Sequence, residues 1–217
     1  MEAKTDAGDA FLKEVLGRLG SLEHIRPEEI PNIDLYMDQV LTFMEEHLQS
    51  MKRYPDDKML TKTMINNYTK NKLLPPPEKK KYSKEHMLLM IFIYYYKNVL
   101  SVTDTGKILE TLKENFFHRE DTGGPDLEEI YRKLFSYSGE LMDSVTGDVM
   151  EKYALSRSSF DEYASFSEAE KEYLTDFLFA CELSLDIYMK KTILEHMIDS
   201  GVLKIRKDAS APGKEKA

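Results

Sequence analysis

The side chains best suited to chemistry lie between Leu60 and Ser83, and that chemistry is recognition of a polyanion. Thr61 is placed to cap a helix, because its hydroxyl accepts from a backbone N–H two or three residues on. On the helix that follows, Met64, Ile65 and Tyr68 share one face, while Lys62, Thr63, Asn66, Asn67 and Lys70 share the other. An asparagine pairs bidentately with adenine, and lysine and threonine reach phosphates or base edges. The same five residues would also make an ordinary polar helix face. Pro75, Pro76 and Pro77 stop the helix and hold the chain extended. Glu78–Lys81 is short and charged, suited to the tip or strand of a small wing. Lys79, Lys80 and Lys81 can neutralise phosphates or simply solubilise a loop. Tyr68 and Tyr82 can offer hydroxyls to phosphate or pack their rings beneath the wing, and the two roles are compatible. A capped helix, a sharp stop, a basic hairpin and a second capped helix form the plan of a winged helix-turn-helix.

Charge is distributed to suit that plan. The 217-residue chain carries a formal charge of -9, yet residues 52–84 hold ten Lys/Arg against three acids, which leaves -16 on the remainder. A segregated basic patch can meet phosphate where a uniformly acidic protein would be repelled. The acidic remainder either limits non-specific binding to nucleic acid or forms the solvated surface of a helical domain.

Bond-making chemistry finds no support. The five histidines are scattered, and the single cysteine, Cys181, excludes an intrachain disulfide and a cysteine-based metal site. Its apolar neighbours predict a buried thiol. Neighbouring acids such as Glu45–Glu46 and Glu128–Glu129 point apart on a helix, Ser158–Ser159 lacks a nucleophile elbow, and no glycine-rich phosphate loop is present. The expectation is a protein that is not an enzyme and takes no cofactor and no metal. Thirteen tyrosines and twelve methionines could line a pocket for a small-molecule effector in the C-terminal half, or fill a helical core. The charged start of the chain is unlike a signal peptide, and the most apolar run, Met87–Tyr96, falls well short of the ~20 residues that span a bilayer. These features predict a cytoplasmic protein without a membrane partner.

The elements that must position the basic segment are helical. Apolar spacing predicts helices over residues 11–19, 34–49 (capped by Asn32 or Asp34), 61–71 (capped by Thr61), 84–98 (capped by Ser83) and 101–117 (opened by a Ser101/Asp104 capping box). Residues 84–98 are apolar nearly all round and should run through the core. Gly123, Gly124 and Pro125 mark a boundary. Beyond it, residues 127–155 form one broken helix or two. A long helix runs from Ser165 or Ser167 to Ser200 and is closed by Gly201. The predicted fold class is therefore all-α, a winged helix-turn-helix-like domain with a small basic wing followed by a helical domain with a long last helix. The expected organisation is an N-terminal extension (1–30), the winged domain (31–117), a linker (118–125), a dimerisation or sensor domain (126–205) and a disordered tail (206–217).

The pattern Thr61-x-x-x-Ile65-x-x-Tyr68, then Leu73-Leu74-Pro75-Pro76, a basic segment, Tyr82-Ser83 and an apolar helix resembles the N-terminal DNA-binding domain of MerR-type regulators. That resemblance implies a tyrosine-bearing helix in the major groove and a basic wing on phosphate. It departs at Asn66, where the family carries an arginine, and at Lys72, where it carries a glycine; Asn71 could take over the left-handed position. Residues 30–44, taken with 60–82, are also similar to a narrower bacterial family, domain of unknown function 1836, seen mostly in Firmicutes. That similarity is close over about residues 30–115 and loose beyond. Together these readings predict a transcriptional regulator that binds double-stranded DNA, a homodimer joined through its C-terminal helices and reading a (pseudo)palindromic site. The rival expectation is a protein–protein interaction module that keeps the helix-turn-helix fold without DNA binding.

Overall fold

The computed structural model describes residues 3–20, 24–119 and 123–205 of the chain, and among these the protein is mainly helical. In chain order the elements are α1 (Ala3–Gly20), β1 (Leu35–Tyr36), α2 (Met37–His47), α3 (Lys62–Lys70), β2 (Lys81–Tyr82), α4 (Lys84–Lys97), α5 (Val102–Phe116), α6 (Leu127–Phe135), α7 (Ser138–Ser158) and α8 (Glu168–Ser200). Short 3-10 turns lie at Pro27–Glu29 and Gln49–Met51. No described helix is long and apolar enough to cross a membrane.

Helix α4 is the axis of the main core. Its residues from His86 to Tyr94 are all buried, as an all-round apolar sequence requires. Ser83 starts it by accepting the His86 N–H. Around α4 pack α5, α6 and β2, with α2 and α3 contributing Val40, Met44, Ile65 and Tyr68 to the same core. The loop before α3 is pinned to α4 by Lys97, whose Nζ donates to the Met59 carbonyl at 2.8 Å. Burial lowers the pKa of that lysine.

Helix α2 begins later than apolar spacing predicts. Leu35 and Tyr36 are drawn into a two-stranded antiparallel ladder with β2, in the register Leu35↔Tyr82 and Tyr36↔Lys81. Tyr36 then becomes the residue before the helix, and its N–H donates to Gln39 Oε1 at 2.9 Å. Neither Asn32 nor Asp34 caps the helix.

The boundary expected at residues 118–125 does not divide the cores, and residues 120–122 lie outside the described residues. Ile25 and Ile30, from the expected extension, and Leu127 and Tyr131, from beyond the expected linker, are all buried in the main core. Tyr131 donates its hydroxyl to the Ile25 carbonyl at 2.6 Å. Arg132 bridges Glu28 and Glu128 at 2.9 and 2.7 Å, and Lys84 of α4 reaches Glu128 at 2.8 Å. The physical reason is surface matching. One side of α6 is strongly apolar, and α4 has a bare side to receive it.

A second, smaller core is built from α1, α7 and α8 around Val149, Tyr153 and Phe179. Ser167 opens α8 by accepting the Glu170 N–H, and Gly201 (φ 71°) closes it in the left-handed conformation, both as predicted. Helix α8 is 33 residues long and α7 is 21, about 50 Å against 32 Å at 1.5 Å per residue. Much of α8 is therefore uncovered. Tyr173, Phe177, Leu185, Ile187, Tyr188, Met189 and Ile193 are all more than half exposed. Cys181 is only partly buried rather than enclosed, because it lies on this helix. The last turns of α8 reach α5, where Lys107 lies 3.6 Å from Asp199. The tail 206–217 lies outside the described residues.

Candidate functional site

Helix α3 is defined at both ends by its own residues. Thr61 Oγ1 accepts the Met64 N–H at 3.2 Å, the expected N-cap. At the other end Leu73 N–H returns to the Tyr68 carbonyl at 2.8 Å and Lys72 N–H to the Thr69 carbonyl at 3.1 Å. That pair of bonds is a Schellman motif, with Leu73 and Tyr68 supplying its apolar contact. Its left-handed residue is Lys72 (φ 60°), not Asn71 (φ -87°), so the lysine itself occupies the glycine-like position. Lys113 of α5 donates to the Lys72 carbonyl and satisfies that helix end from outside.

Between these ends the face division is as spacing predicts. Ile65 and Tyr68 are buried; Lys62, Thr63, Asn66, Asn67 and Lys70 are exposed. The side-chain amides of Asn66 and Asn67 make no hydrogen bond among the described residues, so both remain available to an outside partner. Thr61 is half-buried and spends its hydroxyl oxygen on the cap.

Leu73 and Leu74 are buried, and the three prolines carry the chain on to a four-residue turn. Lys81 N–H closes that turn on the Glu78 carbonyl at 2.8 Å, and Lys79 (φ 48°) and Lys80 (φ 66°) are both left-handed. Two successive positive φ values in a two-residue hairpin loop define a primed type I turn, which ordinarily takes Asn-Gly. Lysine carries a Cβ that makes the left-handed region costly, about 1 kcal/mol or more per residue. Strain of this kind holds two ammonium groups at the tip of the hairpin, both exposed.

Two contacts bring the turn and α3 to one end of α2. Lys62 Nζ lies 2.7 Å from Asp38 Oδ1. Lys81 Nζ lies over the Tyr36 ring, 5.1 Å from its centre. Tyr36 and Asp38 flank the first residue of α2, so the start of α3 and the basic turn are neighbours on the same surface. Of the lysines in this stretch, Lys62 is paired with Asp38, Lys52 with Glu45 and Lys84 with Glu128. Lys70, Lys72, Lys79 and Lys80 enter no ion pair among the described residues. A cation without a local counter-charge is the kind that can bind an outside anion.

Tyr68 and Tyr82 do not present their rings to this surface. Both are buried, and burial raises the pKa of each hydroxyl. Tyr82 packs edge-on against His86, with centroids 5.7 Å apart. His86 is itself buried; its Nδ1 accepts the Ser83 N–H at 3.1 Å, which leaves Nε2 to donate to the Pro76 carbonyl at 3.4 Å. The histidine thus ties the proline stretch to the start of α4. Tyr36, at the start of α2 under Lys81, and Lys72, past the far end of α3, are both exposed although spacing did not single them out as contacts. The signal for Tyr36 was hidden by its reading as a helix residue, and that for Lys72 by the assumption that a lysine avoids a left-handed position.

No group of three or more His, Cys, Asp or Glu among the described residues could hold a metal ion. Comparison with curated proteins and with solved structures brings no match. The model of one family, Domain of unknown function (DUF1836), matches residues 25–134, the stretch from the first buried isoleucine through most of α6. That match covers just over half of the chain, and the chain belongs to this family.

Proposed function

We propose that the protein is a DNA-binding transcriptional regulator. Helix α3 enters the major groove through Lys62, Thr63, Asn66, Asn67 and Lys70, while Lys79, Lys80 and Lys81 rest on the flanking backbone as a small wing. The reading draws on the MerR-type pattern of residues 61–83 and applies its domain plan rather than its individual contacts. The observation that carries it is the pair of contacts at the start of α2, Lys62–Asp38 and Lys81–Tyr36, which sets a helix face with two unpaired asparagine amides beside a lysine-tipped turn. Tyr68 and Tyr82 act beneath this surface as supports. One short helix and one small turn supply little specificity, so the regulator works as a homodimer that reads two half-sites. The uncovered apolar side of α8 is the pairing surface. Seven large apolar side chains of α8, from Tyr173 to Ile193, are each more than half exposed, and a second copy of the chain would cover part of them.

The test is fluorescence anisotropy on the DNA upstream of the protein's own gene. Sequence-dependent binding that weakens steeply with salt supports the reading, and absence of binding at about 50 mM salt overturns it. Lys79→Ala, Lys80→Ala and Lys81→Ala together should weaken all DNA alike, whereas Asn67→Ala should change the preferred sequence.

One observation favours a second reading, a protein–protein interaction module with the same fold and no DNA partner. The acidic partner of Lys62, Asp38, is itself exposed on the surface proposed to face phosphate. A stable heteropartner that occupies α3 and excludes DNA would favour that reading.

A further inference from the structure

We propose that the cleft between α1, α7 and α8 is a binding site for an organic amine with an apolar body. The cleft has a volume of about 630 Å³, within the range of small-molecule sites. Its floor is aromatic. Tyr153 and Phe179 meet edge-on at 5.3 Å, and Phe11 of α1 leans on Tyr153 at 6.5 Å while staying 47% exposed to the cleft.

The rim determines the sign of the ligand. Asp161, Glu172 and Asp176 line the cleft and make no side-chain hydrogen bond or ion pair among the described residues. Glu172 and Asp176 stand four residues apart on one helix, where like charges repel and cost the helix stability. The two bases in the cleft are already turned toward the chain's own groups. The Arg157 guanidinium lies 6.0 Å from the Tyr153 ring centre, and Lys171 Nζ lies 3.5 Å from the Asp161 carbonyl. Aromatic faces and unneutralised carboxylates both attract an ammonium group, and the ring surface takes the apolar body. A carboxylate or phosphate ligand would meet the like charges of Asp161, Glu168, Glu172 and Asp176. A neutral ligand would gain nothing from the acids' charge.

The experiment uses the full chain, without DNA, and a matched trio of probes: 4-phenylbutylamine, 4-phenylbutanol and 4-phenylbutyrate, titrated by calorimetry at neutral pH. The amine should bind about tenfold or more tighter than either analogue, a difference of about 1.4 kcal/mol. Asp176→Asn combined with Glu172→Gln should remove that preference, and Phe11→Ala should weaken the amine about fivefold or more. All three residues are exposed, so unchanged thermal melting separates loss of the site from loss of the fold. Equal binding of the three probes overturns the proposal, as does amine binding that survives these substitutions, which would locate it on the bare face of α8. No heat from the amine up to about 10 mM overturns it as well. Because DNA takes no part, the result stands or falls separately from the reading of α3.

Discussion

Lys62 Nζ and Asp38 Oδ1, 2.7 Å apart, join the first turn of α3 to the first turn of α2. Both side chains are well exposed, so the pair adds little to stability. Its consequence concerns recognition, because it holds one cation of the candidate surface away from outside anions. Asp38→Asn should free Lys62 without altering the melting temperature by more than a degree or two. If α3 meets DNA, the variant should bind tighter, and the slope of log affinity against log salt should steepen by roughly 0.9, the value of one added phosphate contact. An unchanged slope measured by anisotropy would exclude Lys62 from the interface.

The strained turn separates charge from conformation. Lys80→Gly removes the cost of a left-handed lysine and should stabilise the fold by about 1 kcal/mol while weakening DNA binding at low salt. Lys72→Gly should stabilise by a similar amount for the same reason, since its φ is 60°. Chemical denaturation measures both effects. If either glycine variant is less stable than the parent, the left-handed backbone is not being paid for by the lysine.

Tyr131 is fully buried, and its hydroxyl reaches the Ile25 carbonyl across 2.6 Å. Tyr131→Phe leaves that carbonyl without its donor in a dry core and should cost about 1–3 kcal/mol. The same loss should free the segment around Ile25, detected as faster amide exchange at residues 25–30. A melting curve indistinguishable from the parent would remove α6 from the main folding unit.

Burial holds the His86 imidazole below the usual histidine range. His118 opposes its protonation further, while the Pro76 carbonyl, Glu78 and Asp34 work in the other direction. The unfolded chain therefore takes up the proton first, near pH 6.5. The stability tied to neutral His86 is complete above that value and is lost as pH falls below it. Carboxylates with lowered pKa, such as Glu29 and Asp104, contribute only at more acid pH. Melting measured from pH 7.5 to 5 should show a fall in the parent that His86→Gln lacks. Parallel curves would sink the assignment.

The exposed side of α8 gives the oligomer test. Tyr188→Glu adds a charge at a position that is 66% exposed, so the monomer tolerates it. If α8 pairs two copies, sedimentation should change from dimer to monomer at micromolar concentration and DNA affinity should fall with it. Identical sedimentation of parent and variant removes this face from the interface.

Local signals were legible wherever a residue acts on its own neighbours. Thr61, Ser83, Ser101 and Ser167 cap helices at the positions their hydroxyls indicate, and Gly201 ends α8 because only a residue without a Cβ turns left-handed freely there. The inward face of α3 and the all-round burial of α4 follow from the same short-range periodicity. The exposed lysines of the turn were also legible, as a run of charge.

What the tertiary structure decided was pairing across distance. Leu35 and Tyr36 read as helix but become strand, because β2 lies beside them and offers hydrogen bonds that a local pattern cannot announce. Tyr131 reads as part of a later domain but belongs with Ile25, 106 residues earlier, because α4 has a second apolar side to cover. Lys72 takes a conformation its own side chain disfavours, because Leu73 must turn back into the core and Lys113 waits to bond the carbonyl. Backbone preference in the sequence is a matter of about a kilocalorie, and burial of a single large apolar side chain outweighs it. Capping and periodicity are therefore written in the residues themselves, while register, partners and the residues that gather at the candidate surface arise only when the core closes.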